Sequence, residues 1–117
     1  MTSFIYITRY VDVSFKLEHH AEQLGALGHP ARLGILRHVV QGGADGTTTT
    51  ELQTKLDIPW TTLNHHIDRL VAAGLLATRR DGKFAYHTAE YGALKALTDF
   101  LWEDCCKRGK GSPKGCC

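Results

Sequence analysis

The first 104 residues of this 117-residue chain contain no cysteine. All four, Cys105, Cys106, Cys116 and Cys117, fall in the last 13 positions. A disulfide framework spreads its cysteines through a small fold to staple it. These staple no core. The chain also has no apolar run near the ~20 residues that a membrane span requires. Its longest apolar stretch near the start, Phe4 to Ile7, is too short for the apolar part of a secretory signal, and no small-residue cleavage site follows. A cytoplasmic protein is expected. Internal repeats are absent. So is a general excess of positive charge: residues 1–104 carry 10 Lys or Arg against 12 Asp or Glu, a net of −2. The last 13 residues carry Lys107, Arg108, Lys110 and Lys114 and no acid, a net of +4. Bulk basicity therefore gives no argument for a nucleic-acid partner. Any such argument must rest on where particular residues sit.

What is present is an ordinary globular composition, with 43% hydrophobic and 22% charged residues, enough for one domain with one modest core. Residues 1–16 lack a helical period. Ile5, Ile7, Val11 and Val13 are β-branched, so this extension reads as a short strand or an irregular arm. From Leu17 the period turns helical, with Leu17, Ala21, Leu24 and Leu27 on one face. Gly28 and His29 break that helix, and Pro30 suits the first turn of the next. There Leu33, Leu36, Val39 and Val40 form an apolar stripe that ends in the glycine-rich loop Gln41–Gly46. Thr48 and Glu51 have the spacing of a capping box for a third helix carrying Leu52 and Leu56. Asp57-Ile58-Pro59 is a turn. A fourth helix is expected from Trp60 to Ala73, with Leu63, Ile67 and Leu70 inward and Gly74 as its stop.

Leu75 to Thr88 changes period. An Asp81-Gly82 pair between β-formers predicts a hairpin whose two central residues take positive φ. A last helix is expected from Glu90 to Asp104, followed by a flexible Gly, Lys, Ser and Pro tail. The expected fold is mainly α with a β-hairpin wing, a winged helix-turn-helix over residues 17–104. An extension (1–16) precedes it and a cysteine-rich tail (105–117) follows.

Short helix, tight turn, longer helix and hairpin, in that order, point to DNA. With Leu63, Ile67 and Leu70 inward, the fourth helix turns Thr61, Thr62, Asn64, His65, Asp68 and Arg69 outward. Hydroxyl, amide, imidazole and guanidinium groups can bond base edges and phosphates in a major groove. Arg79, Arg80 and Lys83 beside the hairpin tip suit a wing on the phosphate backbone or in the minor groove. An ordinary solvated helix and hairpin is the bland reading of each piece alone. The order of the pieces and the basic tip outweigh it. Double-stranded operator DNA is the expected partner, through Thr61, Thr62, Asn64, His65, Arg69, Arg79, Arg80 and Lys83.

Three blocks carry a resemblance. Leu24-Gly25-Ala26-Leu27-Gly28-His29-Pro30-Ala31-Arg32-Leu33-Gly34-Ile35-Leu36 is the first. Thr49-Thr50-Glu51-Leu52 with Thr62 to Leu75 is the second, and Arg79 to His87 is the third. Together they are similar to the ArsR/SmtB family of bacterial metal-responsive repressors, over about Leu17 to Leu101. The resemblance implies a homodimer through the first and last helices, and no enzyme. The last helix agrees, since Tyr91, Leu94, Leu97, Thr98, Leu101 and Trp102 make an apolar face too broad for a lone terminal helix.

The histidines are weak metal candidates. Adjacent residues on a helix diverge by about 100°, so neither His65-His66 nor His19-His20 closes easily on one ion. A DNA contact for His65 and a satisfied core or edge position for His66 are expected. His19 and His20 read as helix surface, and His29 and His38 as structural. Family metal sites elsewhere also find no match. Thr49 to Thr54 offers no thiol, and the last helix has Asp99 and Glu103 but no His. The four terminal cysteines remain, and they resemble the subgroup that senses trivalent arsenic or antimony beyond the last helix. Thiolates are soft ligands that select thiophilic ions. A trivalent metalloid takes three in a pyramid, which implies Cys105 and Cys106 plus Cys116 or Cys117. Adjacent pairs are poor spacing for structural zinc. The neighbouring Lys107, Arg108, Lys110 and Lys114 favour thiolates.

If the last helix continued, Cys105 would extend its Leu94–Thr98–Leu101 stripe to the dimer face and Cys106 would point elsewhere. Both thiols could then reach one ion only if the helix end unwound. Two other readings use the same thiols. One is a redox repressor in which Cys105 or Cys106 pairs with Cys116 or Cys117 on oxidation. The other is a zinc, cadmium or mercury sensor or scavenger. A thiol enzyme would need a general base beside a cysteine in a pocket, and the sequence offers none.

Overall fold

Helix α1 runs from Thr2 to Leu27 in the computed structural model, which describes the backbone of residues 2–109 and the side chains of residues 15–109. The strand or irregular arm expected over residues 1–16 is therefore corrected to helix over the described residues 2–16. β-branched residues cost a helix only tenths of a kcal/mol each, and no Gly or Pro precedes Gly25. Nothing local stops the helix from propagating back from the packed part of α1. Its buried face also differs from expectation: His20, Gln23 and Ala26 are buried, whereas Leu17 and Leu24 are exposed. Gln23 accounts for the inversion. It is bonded to His20 and reaches the carbonyl of Ala73, so the polar groups are satisfied where they are buried.

Helix α2 spans Pro30–Gly42, with His29 as its N-cap accepting from the Ala31 N–H. Ile35, Leu36 and Val39 face the core, while Leu33 and Val40 are exposed. The expected stripe was rotated by part of a turn. A short 3-10 turn leads into strand β1, Thr47–Thr48, then helix α3, Thr49–Leu56. Thr48 caps α3 by accepting the Glu51 N–H at 3.1 Å. Only half of the expected capping box forms, because the Glu51 carboxylate lies 3.3 Å from His38 Nε2 instead. Thr48→Ala should cost about 1 kcal/mol, read as a shift in the urea midpoint; an unchanged midpoint would show that the cap contributes nothing.

Asp57 takes the left-handed conformation, φ 53 and ψ 50, and lets the chain turn through Ile58 and Pro59 into helix α4, Trp60–Ala72. Leu63, Ile67 and Leu70 are buried, as expected. Gly74, at φ 77, closes the helix end. Strands β2, Leu76–Asp81, and β3, Phe84–Ala89, pair antiparallel with Asp81 opposite Phe84. The two-residue loop is thus Gly82-Lys83, not Asp81-Gly82, and only Gly82 has positive φ. That is the pattern of a II′ turn, with glycine at its first central position. β1 adds a third strand on the far side of β3, giving the order β1-β3-β2.

Helix α5 covers Tyr91–Trp102, two residues short of the expected end. Glu103 leaves the helix with ψ 132, and Asp104 and Cys106 take positive φ. The core lies between α2, α3, α4 and the sheet, built from Ile35, Val39, Leu52, Leu63, Leu70 and Leu75. Among the described residues no helix is long and apolar enough to cross a membrane. Cys116, Cys117 and most of the expected flexible tail lie outside the described residues.

Candidate nucleic-acid interface

Burial of Leu63, Ile67 and Leu70 dictates which groups of α4 face out. Thr61, Thr62, His65, Asp68 and Arg69 are exposed, as the sequence predicts. Thr61 and Arg69 are two turns apart, about 12 Å along the axis, so this face is long enough to follow a groove. Asn64 differs from its neighbours. It is half-buried, and its side-chain amide donates to the Trp60 carbonyl at 3.0 Å. Arg69 stands at the far end beside Glu22, Gly25 and Ala26 of α1.

The wing brings its cations toward the same side. Arg79 is exposed but already engaged: its guanidinium lies 4.8 Å from the Tyr86 ring centre and donates to the Asp45 carbonyl at 3.3 Å. Arg80 and Lys83 instead line a cleft between the wing, the start of α3 and the start of α4, together with Thr50, Trp60 and Asn64. The sequence reading placed Trp60 only as a helix start and did not single out Phe84. Both are half exposed here, at 49% and 50%.

Two buried histidines hold this surface in place. His87 of β3 lies 2.7 Å from the Thr49 hydroxyl through Nε2 and 3.0 Å from the Thr78 hydroxyl through Nδ1. It ties the wing to the first turn of α3. Burial, then the nearby Arg80 charge, lowers its pKa, partly opposed by Asp68. His66 of α4 is buried as expected. Its ring centre lies 4.8 Å from that of His29, and its Nδ1 lies 3.4 Å from the Arg32 guanidinium. Burial lowers its pKa first, then His29, Arg32 and His65. His20, expected at the surface, is buried against Phe100 with ring centres 4.5 Å apart.

The lowered histidines carry a sign. The unfolded chain titrates them near 6.5, and the folded chain binds the proton less readily. Stability is full above that pH and falls as pH drops through it, levelling off below the lowered folded values. The urea midpoint should fall between pH 8 and pH 5. His87→Asn should be less stable at pH 8 yet show a shallower fall. An equal slope in that variant would remove His87 from the account.

The thiol end is a series of turns. With α5 stopped at Trp102, Cys105 and Cys106 lie on a non-helical segment and their sulfurs approach to 3.2 Å. The expected divergence along a continued helix does not occur. Cys105 is disulfide-bonded. Among the described residues no three His, Cys, Asp or Glu side chains gather as a metal site.

Residues 27–79 match the helix-turn-helix domain family. An uncharacterized HTH-type transcriptional regulator of Methanocaldococcus jannaschii is 31% identical over 72 residues, 62% of this chain and 79% of that protein. The fold is similar to the ArsR-like transcriptional regulator from Rhodococcus sp. RHA1, with a TM-score of 0.67 and 21% identity, covering 78% of this chain and 83% of that one. It is also similar to the transcriptional repressor BigR from Xylella fastidiosa, with a TM-score of 0.62 and 26% identity, covering 83% and 96%. The ordered helices, the outward polar face of α4, the basic wing and these relatives converge: the chain belongs to the helix-turn-helix transcriptional regulators, not to the enzymes, and is built on the winged fold of ArsR-type proteins.

Proposed function

We propose that this regulator is a metalloid-responsive repressor. It grips operator DNA as a reduced, metal-free dimer and lets go when trivalent arsenic or antimony takes its C-terminal thiolates. The observation that carries this reading is the end of α5 at Trp102, which brings the Cys105 and Cys106 sulfurs to 3.2 Å, so that both can turn to one ion once the Cys105 disulfide is reduced. Adjacent soft thiolates suit a thiophilic ion, and adjacent pairs are poor spacing for structural zinc. Cys116 or Cys117 would supply the third thiolate.

In this reading α1 and α5 form the seam between two copies. Phe15, Leu17, Leu24, Leu101 and Trp102 are large apolar groups left exposed along those helices. A route from thiols to DNA is contiguous. Glu103, two residues before Cys105, is paired with Lys16 of α1 at 2.9 Å. Phe100 packs on His20, His20 bonds Gln23 at 3.0 Å, and Gln23 donates to Ala73 at the end of α4 at 3.3 Å. Ion binding that reshapes the turn after Trp102 would shift this chain and the seam, and with them the spacing of the two α4 helices.

A second reading has its own support. Cys105 is disulfide-bonded, which suits a repressor released by oxidation. One titration separates the two. A duplex selected from a random pool by the reduced protein is labelled, and its release is followed with arsenite, antimonite, zinc and peroxide in turn. Release by the metalloids alone supports the first reading, and by peroxide alone the second. Release by zinc would make the site a general soft-metal sensor. Release by none would overturn thiol control altogether.

A further inference from the structure

The cleft between wing and recognition helix has a composition at odds with the rest of the chain. The body of the protein carries a net charge of −2. Yet this cleft presents Arg80 and Lys83 with no acidic residue among those lining it. Glu51, the acid nearest in sequence to its threonines, is turned to His38. The cleft also holds two large apolar rings. Trp60 begins α4 and Phe84 begins β3, each about half exposed, at 49% and 50%. A partner that covered both rings would remove their exposed apolar area from water, which is favourable.

Cations beside two rings, with hydroxyls at the first turn of α3, suit one kind of occupant. We propose that this cleft takes the sugar–phosphate backbone of one strand of duplex DNA. Arg80 and Lys83 meet the phosphate, and Trp60 and Phe84 pack against the deoxyribose. The rings act on the sugar because bases within a duplex are stacked and out of reach. Thr50 stands at the rim as a further hydroxyl donor to phosphate. The site deepens the DNA-binding reading by making Trp60 and Phe84 contact residues, and it makes the start of α4 a backbone anchor that sets how far the helix enters the groove.

The test uses a mixed-sequence 30-base-pair duplex and its separated strand, titrated over a range of salt. Removing a phosphate cation lowers the slope of log affinity against log salt by about 0.9 for each subunit that contacts DNA. Arg80→Ala and Lys83→Ala should each do so. Trp60→Ala and Phe84→Ala should weaken duplex binding about fivefold to tenfold at fixed salt, with the slope unchanged. Trp60→Phe should recover most of the loss. Thermal melting of each variant separates lost binding from lost folding.

Alanine variants that fold and bind the duplex as tightly as the parent would overturn the proposal. So would tighter binding of the single strand than of the duplex, since the rings would then be stacking on unpaired bases. If the unaltered protein binds neither, the DNA-binding reading itself fails, which is a different result.

Discussion

Leu63→Ala should destabilise the protein by about 2–5 kcal/mol. Leu63 is fully buried in the core shared with Leu52, Leu70 and Leu75. Truncation loses the transfer energy of the removed carbons and leaves a cavity that surrounding backbone fills only in part. A domain of this size has only about 5–15 kcal/mol to lose, so the urea midpoint should fall by roughly an eighth at the least. The loss would be felt at the DNA surface because Leu63 lies on the same helix as Thr62 and His65. Thr62→Ala is the contrast. It is exposed, and should change stability by less than about 0.5 kcal/mol while weakening DNA binding. A loss below 1 kcal/mol in Leu63→Ala would mean that α4 is not seated as described.

Cys105→Ser and Cys106→Ser should each leave DNA affinity within twofold of the parent and abolish its loss on adding antimonite. The parent should lose affinity 5- to 150-fold, the range of a coupling of about 1–3 kcal/mol. Serine keeps the shape of the side chain but supplies no soft ligand. The turn after Trp102 is outside the core, so stability should hardly move. The two readings of the thiols divide here. A metalloid site needs both adjacent sulfurs, so either substitution removes the response. An oxidative switch built on Cys105 should survive Cys106→Ser. A Cys105→Ser variant that still releases DNA with antimonite would place the sensor elsewhere.

The element order and most of the candidate DNA face were legible in the sequence, because both follow from period. Leu63, Ile67 and Leu70 recur at spacings that only a helix brings to one face, and they expel Thr61, Thr62 and His65 to the other. What escaped was set by tertiary context. α1 buries His20 and Gln23 and exposes Leu17 and Leu24, because the Gln23 amide reaches the Ala73 carbonyl and the His20 ring packs on Phe100, both far along the chain. A hydrophobic-periodicity reading has no way to see a carbonyl at Ala73. Trp60 reads only as the start of the fourth helix, and its half exposure depends on packing that the period does not report. Thr47 and Thr48 form a strand only because His87 and Tyr86 lie opposite them.

The cysteines show a similar divide. Their softness and crowding were legible, and so was the need for the helix to end before one ion reached both. The stop at Trp102 was not, since no Gly or Pro marks it. Asp104 and Cys106 take the positive φ that the turn requires; aspartate is tolerated there, but cysteine does not announce it.

Amide hydrogen exchange of the reduced protein, alone, with its selected duplex, and after antimonite, tests the central claim most directly. The duplex should protect peptides covering Trp60 to Arg69 and the wing from Arg79 to Phe84. Antimonite should reverse that protection and change exchange at Phe100 to Cys106. Protection confined to the basic residues around Lys107 and Arg108, with α4 and the wing unchanged, would contradict the account.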